Sequence, residues 1–273
     1  MVKRPNIFNC SPLVNFLKRF RRRLARFKPL SLPENSKGTE MSNFINSIVE
    51  DSQNLSYLEI GVFAGKTIEA IKIQKKVAVD PNPLYLRVPS RGIRTAKCTS
   101  DLFFSKSQKL HFDLIYLDGL HHFKQTWLDL ENAVRLIKPY GIIFIDDVVP
   151  SDEFSVLIPP SSALEQRLLN TGVRSHVWHG DVFKLGLLLS RLPTTFVFGT
   201  ITFSQNPRAF LISKDGDWNS FPKFNSNEIS TVDSVDAKSV FGFNPTPTIP
   251  ESFKPIDPNE AKLILKQHLN NRV

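Results

Sequence analysis

Residues 113–117 form a run that is apolar after Asp113 and closes on Asp118, and residues 141–145 form another that closes on Asp146 and Asp147. Between them Trp127, Leu128, Leu130, Ala133, Val134 and Ile137 recur at helical spacing. Two buried strands joined by a helix predict a right-handed βαβ unit with parallel strands. The three aspartates then share the C-terminal edge of the sheet, where open α/β sheets bind ligands. His121 and His122 follow Asp118 by one turn.

The same alternation extends to both sides. Phe44, Ile45, Ile48 and Val49 predict a helix, and residues 55–60 a strand that runs into Glu59-Ile-Gly61-Val-Phe-Ala-Gly65. A helix with Ile68, Ala70 and Ile71 inward follows, then a strand over 76–79 ending at Asp80-Pro81. A proline-marked loop leads to a strand over 93–96 and to Thr99-Ser100-Asp101, which opens a short helix carrying Phe103 and Phe104. Beyond Asp147 come a loop over 151–162, a helix near 163–169, and Trp178-His179-Gly180-Asp181 opening an apolar helix to Leu192. Residues 195–201 and 208–212, with a turn at Asn206-Pro207, read as a hairpin that would finish the sheet with a reversed strand. The fold class is α/β, a doubly wound, mostly parallel sheet of seven strands with an antiparallel terminal hairpin. Residues 214–256 lack periodicity and read as an arm, while Asp257-Pro258-Asn259-Glu260 starts a closing helix.

Charge divides the chain further. The 273 residues carry a net +9. Ten Lys or Arg and two acids fall within residues 1–40, so this leader carries +8 and the other 233 residues +1. A nearly neutral body argues against a nucleic-acid-binding enzyme. Leu13, Phe16, Leu17, Phe20, Leu24 and Phe27 make the leader a basic amphipathic helix over about residues 12–28. It could dock on an anionic membrane surface or an acidic partner, or pack on the domain or on a second copy of the chain. The expected organisation is a leader over 1–37, a catalytic domain over 38–213 and a C-terminal arm with a final helix over 214–273. Cys10 and Cys98 are too few for a disulfide framework. No apolar run is long enough to span a membrane, and the first residues lack the apolar core of a secretory signal. A cytoplasmic protein, peripheral at a membrane if the leader docks there, is the expectation.

Glu59-x-Gly61-x3-Gly65 joins a buried strand to a helix, and its small residues let backbone approach a ligand. Asp80 ends the next strand, 21 residues after Glu59, where an acid bonds a ribose diol in doubly wound folds. Gly65-Lys66-Thr67 lacks the first glycine of a P-loop at the right distance. His179 and Asp181 read most simply as a surface histidine and a helix cap.

These motifs, together with Asp118-Gly-Leu-His121 and Asp146-Asp147, resemble the class I S-adenosylmethionine-dependent methyltransferases over about residues 38–213. The nearest branch is the bacterial O-methyltransferases with an Asp-Gly-x-His signature, similar to the catechol and macrolide-sugar enzymes. The resemblance implies a cofactor held by Glu59, Gly61, Gly65, Asp80, Ser100 and Asp101. It also implies Mg²⁺ on Asp118, Asp146 and Asp147, and His121 as the base that takes the acceptor's proton. The implied acceptor is a hydroxyl of a sugar, glycan or glycosylated natural product. Two other readings stay open: a non-catalytic scaffold module on this fold, and an RNA methyltransferase. Oligomeric state is open too.

Overall fold

A computed structural model describes residues 38–83, 92–243 and 246–272. The leader helix and residues 84–91 of the proline-marked loop lie outside the described residues.

Among the described residues, eight strands form one sheet: β1 (Ser56–Ile60), β2 (Lys75–Val79), β3 (Ile93–Ala96), β4 (Phe112–Leu117), β5 (Ile137–Ile145), β6 (Phe196–Ile201), β7 (Arg208–Ser213) and β8 (Pro255–Ile256). Their order is β3-β2-β1-β4-β5-β7-β6-β8. The first five pair in parallel, β7 runs antiparallel to both β5 and β6, and β8 pairs in parallel with β6. The two-residue β8 is an addition to the seven strands expected. It comes from the segment read as an arm, which also holds α7 (Ser226–Asp233) and α8 (Ala237–Phe241). A capping box at Asn225 and an Asp236 cap start these helices. They are too short for a hydrophobic period to show in the sequence.

Strands β1 and β4 are buried along their whole length, which is why they read as continuous apolar runs rather than alternating ones. One face of the sheet is covered by α1 (Glu40–Val49), α2 (Lys66–Ala70) and α9 (Pro258–Asn270), with Met41, Ile45, Ile68 and Leu265 fully buried. The other face is covered by α3 (Ser100–Lys106), α4 (Phe123–Leu136), α6 (Phe183–Leu189) and α7, with Phe123, Leu130, Leu188 and Val232 fully buried. The helix α5 (Pro160–Thr171) follows the loop after β5.

Register places the site. Ile60 pairs with both Val79 and Leu117, and Leu117 pairs with Ile145. The residues that follow these strands, Gly61, Asp80, Asp118 and Asp146, therefore line one edge. Chain order reverses between β1 and β4, so the switch point of the sheet falls in the middle of that edge. Ile145 pairs with Ala209 of the reversed strand, which brings the start of β7 to the same edge.

Candidate functional site

The turn after β1 is built by backbone. Gly61 has φ +83°, and a Cβ there would stand 1.8 Å from the Asp118 carbonyl oxygen. Only glycine allows both the conformation and the approach. Gly61 N–H donates to Val79 O and Asp118 N–H to Ile60 O, each at 2.8 Å, so the sheet continues into both turns. Gly65 is also left-handed, with φ +74°, and starts α2. Asp80 is buried beneath this turn and accepts from Phe63 N at 3.0 Å and from Asn82 N at 2.7 Å. Glu59 is buried and accepts from the Tyr57 hydroxyl at 2.7 Å; burial pushes its acid up to about 8.

Ser100 and Asp101 begin α3 after the Thr99 cap. Gln125 of α4 reaches both: its Nε2 lies 3.4 Å from Ser100 Oγ, 3.0 Å from Asp101 Oδ1 and 3.1 Å from Asp129 Oδ1. Asp129 is buried, and burial pushes it up to about 6.

Beyond the switch point the site is built by side chains. Asp118 Oδ1 stands 3.4 Å from His121 Nε2. His121 Nδ1 stands 2.8 Å from both Asp147 Oδ2 and the Trp178 carbonyl oxygen. Nδ1 therefore faces the Trp178 carbonyl in a hydrogen bond and the buried Asp147 carboxylate in an ion pair. The Trp178 ring stacks on His121 with centroids 5.2 Å apart. Asp147 takes φ +61°, a strained region that Asp tolerates better than most residues.

Burial, then the Asp146 charge, push Asp118 up to about 7. Burial would lower His121, but Asp147 and Asp118 outweigh it and hold the imidazole well above its usual value. The two neighbouring carboxylates thus favour the charged form of His121. A cation between the acids would compete with that proton.

The sequence-expected metal set divides. Asp118, His121 and Asp147 each offer a donor atom within 4.8 Å of the others, an arrangement that fits a metal ion. Asp146 turns to other partners: it accepts from the Tyr116 hydroxyl at 2.5 Å and Asn206 Nδ2 at 2.8 Å, and pairs with Arg208 Nε at 3.2 Å.

Three features escaped the sequence reading. His179 is buried, not on the surface, with Nε2 3.7 Å from Asp147 Oδ1. Asp181 caps α4, not the helix it precedes, by accepting from Phe123 N at 2.6 Å. Gly180 packs so closely that a Cβ would stand 1.8 Å from the His121 carbonyl oxygen. The segment 178–181 thus clamps the start of α4 and His121. Arg208 and Asn206 were seen only as a strand start and a turn; the reversed strand itself was the signal that they would meet β5 at Asp146.

Residues 58–148 match the family model described as a methyltransferase domain. No curated protein matches the chain closely enough to count. Among solved structures, similar ones include the O-methyltransferase TomG from Streptomyces achromogenes, in complex with SAM (11% identity, TM-score 0.46, 76% of this chain and 92% of that one). Others are a SAH-bound methyltransferase from Podospora anserina (17%, 0.46, 78% and 100%) and an O-methyltransferase from Bacillus cereus in complex with SAH (17%, 0.40, 76% and 91%). Residues 58–148, from the strand before the glycine turn to the strand-end acids, are thus similar to a methyltransferase domain, and they lie on a doubly wound sheet.

Proposed function

We propose that the protein is an S-adenosylmethionine-dependent O-methyltransferase acting, with help from a divalent cation, on a hydroxyl of a sugar, glycan or glycosylated natural product. The observation that carries the reading is the match of residues 58–148 to a methyltransferase domain, which spans both halves of the edge. In this reading the Gly61–Gly65 turn receives the methionine part of the cofactor, Asp80 the ribose diol, and Ser100 and Asp101 the adenine. Gln125 holds the last two in place through α4.

Asp118, His121 and Asp147 form the acceptor side. A bound divalent cation would supply acidification of the acceptor hydroxyl and fix its direction toward the methyl sulfonium. The residues themselves orient: the Trp178 carbonyl holds Nδ1 of His121, which leaves Nε2 facing Asp118. The methyl group passes from sulfur to oxygen, the sulfur keeps the electron pair, and the hydroxyl proton leaves to solvent or a neighbouring base.

The sugar-type acceptor rests on the resemblance of the Asp118-Gly-Leu-His121 and Asp146-Asp147 motifs. The near-neutral body supports it over RNA. Among the described residues no helix is long and apolar enough to cross a membrane. The leader remains a proposed docking element for an anionic surface, an acidic partner or a second copy. The test is transfer of labelled methyl from S-adenosylmethionine to a panel of glycosides, RNA and catechols. Labelling of vicinal-hydroxyl glycosides supports the reading, and labelling of RNA alone overturns it.

A further inference from the structure

Aspartate is a costly residue for the buried face of a helix, and α4 carries one there. Asp129 is 2% exposed and shares that face with Thr126, Leu130 and Ala133. The groups that bond to it, Ser100 and Gln125, are neutral, and the charge that acts on it is that of another acid, Asp101. Its lost hydration is therefore only partly returned. An apolar residue of similar size would pack there at lower cost.

The bonds it makes converge on one place. Gln125, one turn earlier on α4, offers two amide hydrogens. Its Nε2 stands 3.1 Å from Asp129 Oδ1 and 3.0 Å from Asp101 Oδ1, so the hydrogens go to the two carboxylates. Ser100 Oγ, farther off at 3.4 Å, donates its own hydrogen to Asp129. An acid on either side also prevents the amide from flipping, since its oxygen would then face them. Asp101 is exposed, and an exposed aspartate samples several rotamers. Gln125 holds this one by Oδ1, and a carboxylate has a second oxygen to offer. On its other side Asp129 abuts the turn after β4: a Cβ on Gly119 would stand 3.3 Å from Oδ2. The buried acid thus sets the first turn of α3 against the turn after β4.

We propose that Asp129 is a positioning residue for base recognition: through Gln125 and Ser100 it fixes the Asp101 carboxylate as acceptor for the exocyclic amine of adenine, and so makes the site select adenine over a purine with a carbonyl at that position. The inference rests on the cofactor reading. The chemistry is complementary, because an amine donates to a carboxylate, whereas a purine carbonyl would meet it oxygen to oxygen. Asp129 touches no part of the cofactor in this assignment. It acts by keeping the Gln125 amide, and with it Asp101, in one orientation before the ligand arrives.

Calorimetry on the full chain compares S-adenosylhomocysteine with S-inosylhomocysteine, in which a carbonyl replaces the amine. The titrations are run at about pH 8, above the value of about 6 to which burial pushes Asp129. The unaltered chain should prefer the adenosyl compound by about 10- to 100-fold, the size of one hydrogen bond to a charged group. Asp129→Leu should weaken the adenosyl compound by about 10-fold and the inosyl compound by less than about 3-fold. Its melting temperature should be equal or higher. Asp129→Asn, which keeps an oxygen for Gln125, should recover most of the adenosyl affinity. Gln125→Met, at a half-buried position, should reproduce the base-selective loss. Because that variant cuts the link outside the core, a misfolded Asp129 variant does not remove the test. Equal weakening of both ligands by Asp129→Leu and Gln125→Met is what a merely structural role predicts, and it overturns the proposal. An unaltered chain that binds both ligands alike overturns it too and spares the cofactor reading. An unaltered chain that binds neither overturns the reading and the inference together.

Discussion

Strand β4 carries an aspartate near each end, and the two are in opposite states. Asp113, near its start, is buried and accepts from Ser56 N and Lys138 Nζ at 2.8 Å, Ser56 Oγ at 2.7 Å and Arg272 Nη1 at 2.9 Å. Burial would raise this acid, but the bonds from Lys138 and Ser56 outweigh it and hold it below the usual carboxylate value. Asp118, just past its end, faces other acids, and burial with the Asp146 charge pushes it up to about 7. One carboxylate ties β1, β5 and the end of α9 together. The other is held at a cost, beside a histidine and two further acids, Asp146 and Asp147. A charge with all its bonds made stabilises the fold, and a charge with bonds left over is available to a ligand.

The largest effect should come from the second kind. Asp118→Asn is expected to lower methyl transfer by about 1000-fold, the scale on which removing a group that stabilises developing charge is felt. S-adenosylmethionine affinity and melting temperature should hold, because no fold-spanning bond is lost. A fall in melting temperature equal to that of an Asp113 variant would erase the contrast. Asp113→Asn should do the opposite. Breaking a buried charged cluster costs about 3 kcal/mol, which is about 6–12 °C in melting temperature for a domain of this size. Activity per folded molecule should be unchanged in an assay below the transition.

The same contrast has a pH signature. The folded Asp113 acid lies below its unfolded value near 3.8. Its contribution is therefore complete above that value and is lost as pH falls through the lower folded value. The stability difference between the parent chain and Asp113→Asn, from urea unfolding, should be constant from pH 7 to 5 and shrink below about pH 4. Growth of the difference on acidification would contradict the assignment. The smallest expected effect is at the clamp. Asp181→Ala removes the α4 cap and should cost about 1 kcal/mol, visible as faster amide exchange at Phe123.

These two kinds of site were not equally legible. The glycine turn was read from the sequence because its makers are neighbours: Gly61 and Gly65 flank one turn, and Asp80 ends the next strand. Sheet class, the places of the first five strands along the chain and the reversed strand followed from apolar runs and their spacing; the order of the strands across the sheet did not. The acceptor side was legible only in its acids. Its electrostatic state depends on Arg208, Asn206, Trp178 and His179, which come from distant segments and have no local pattern. Trp178-His179-Gly180-Asp181 precedes a helix in sequence yet packs against the start of α4, and no periodicity encodes that contact. Asp146 and Asp147 are adjacent and chemically identical. Only the register of β7 against β5 and the positive φ of Asp147 separate them.

The claim that the edge after β1 and β2 is a cofactor cradle is tested most directly by calorimetric titration of S-adenosylmethionine into the full chain and into Asp80→Ala. The account predicts saturable one-to-one binding, with a Kd on the order of 1–100 μM, weakened about 10-fold or more by the substitution. No binding to the unaltered chain, or equal binding to both, would contradict it.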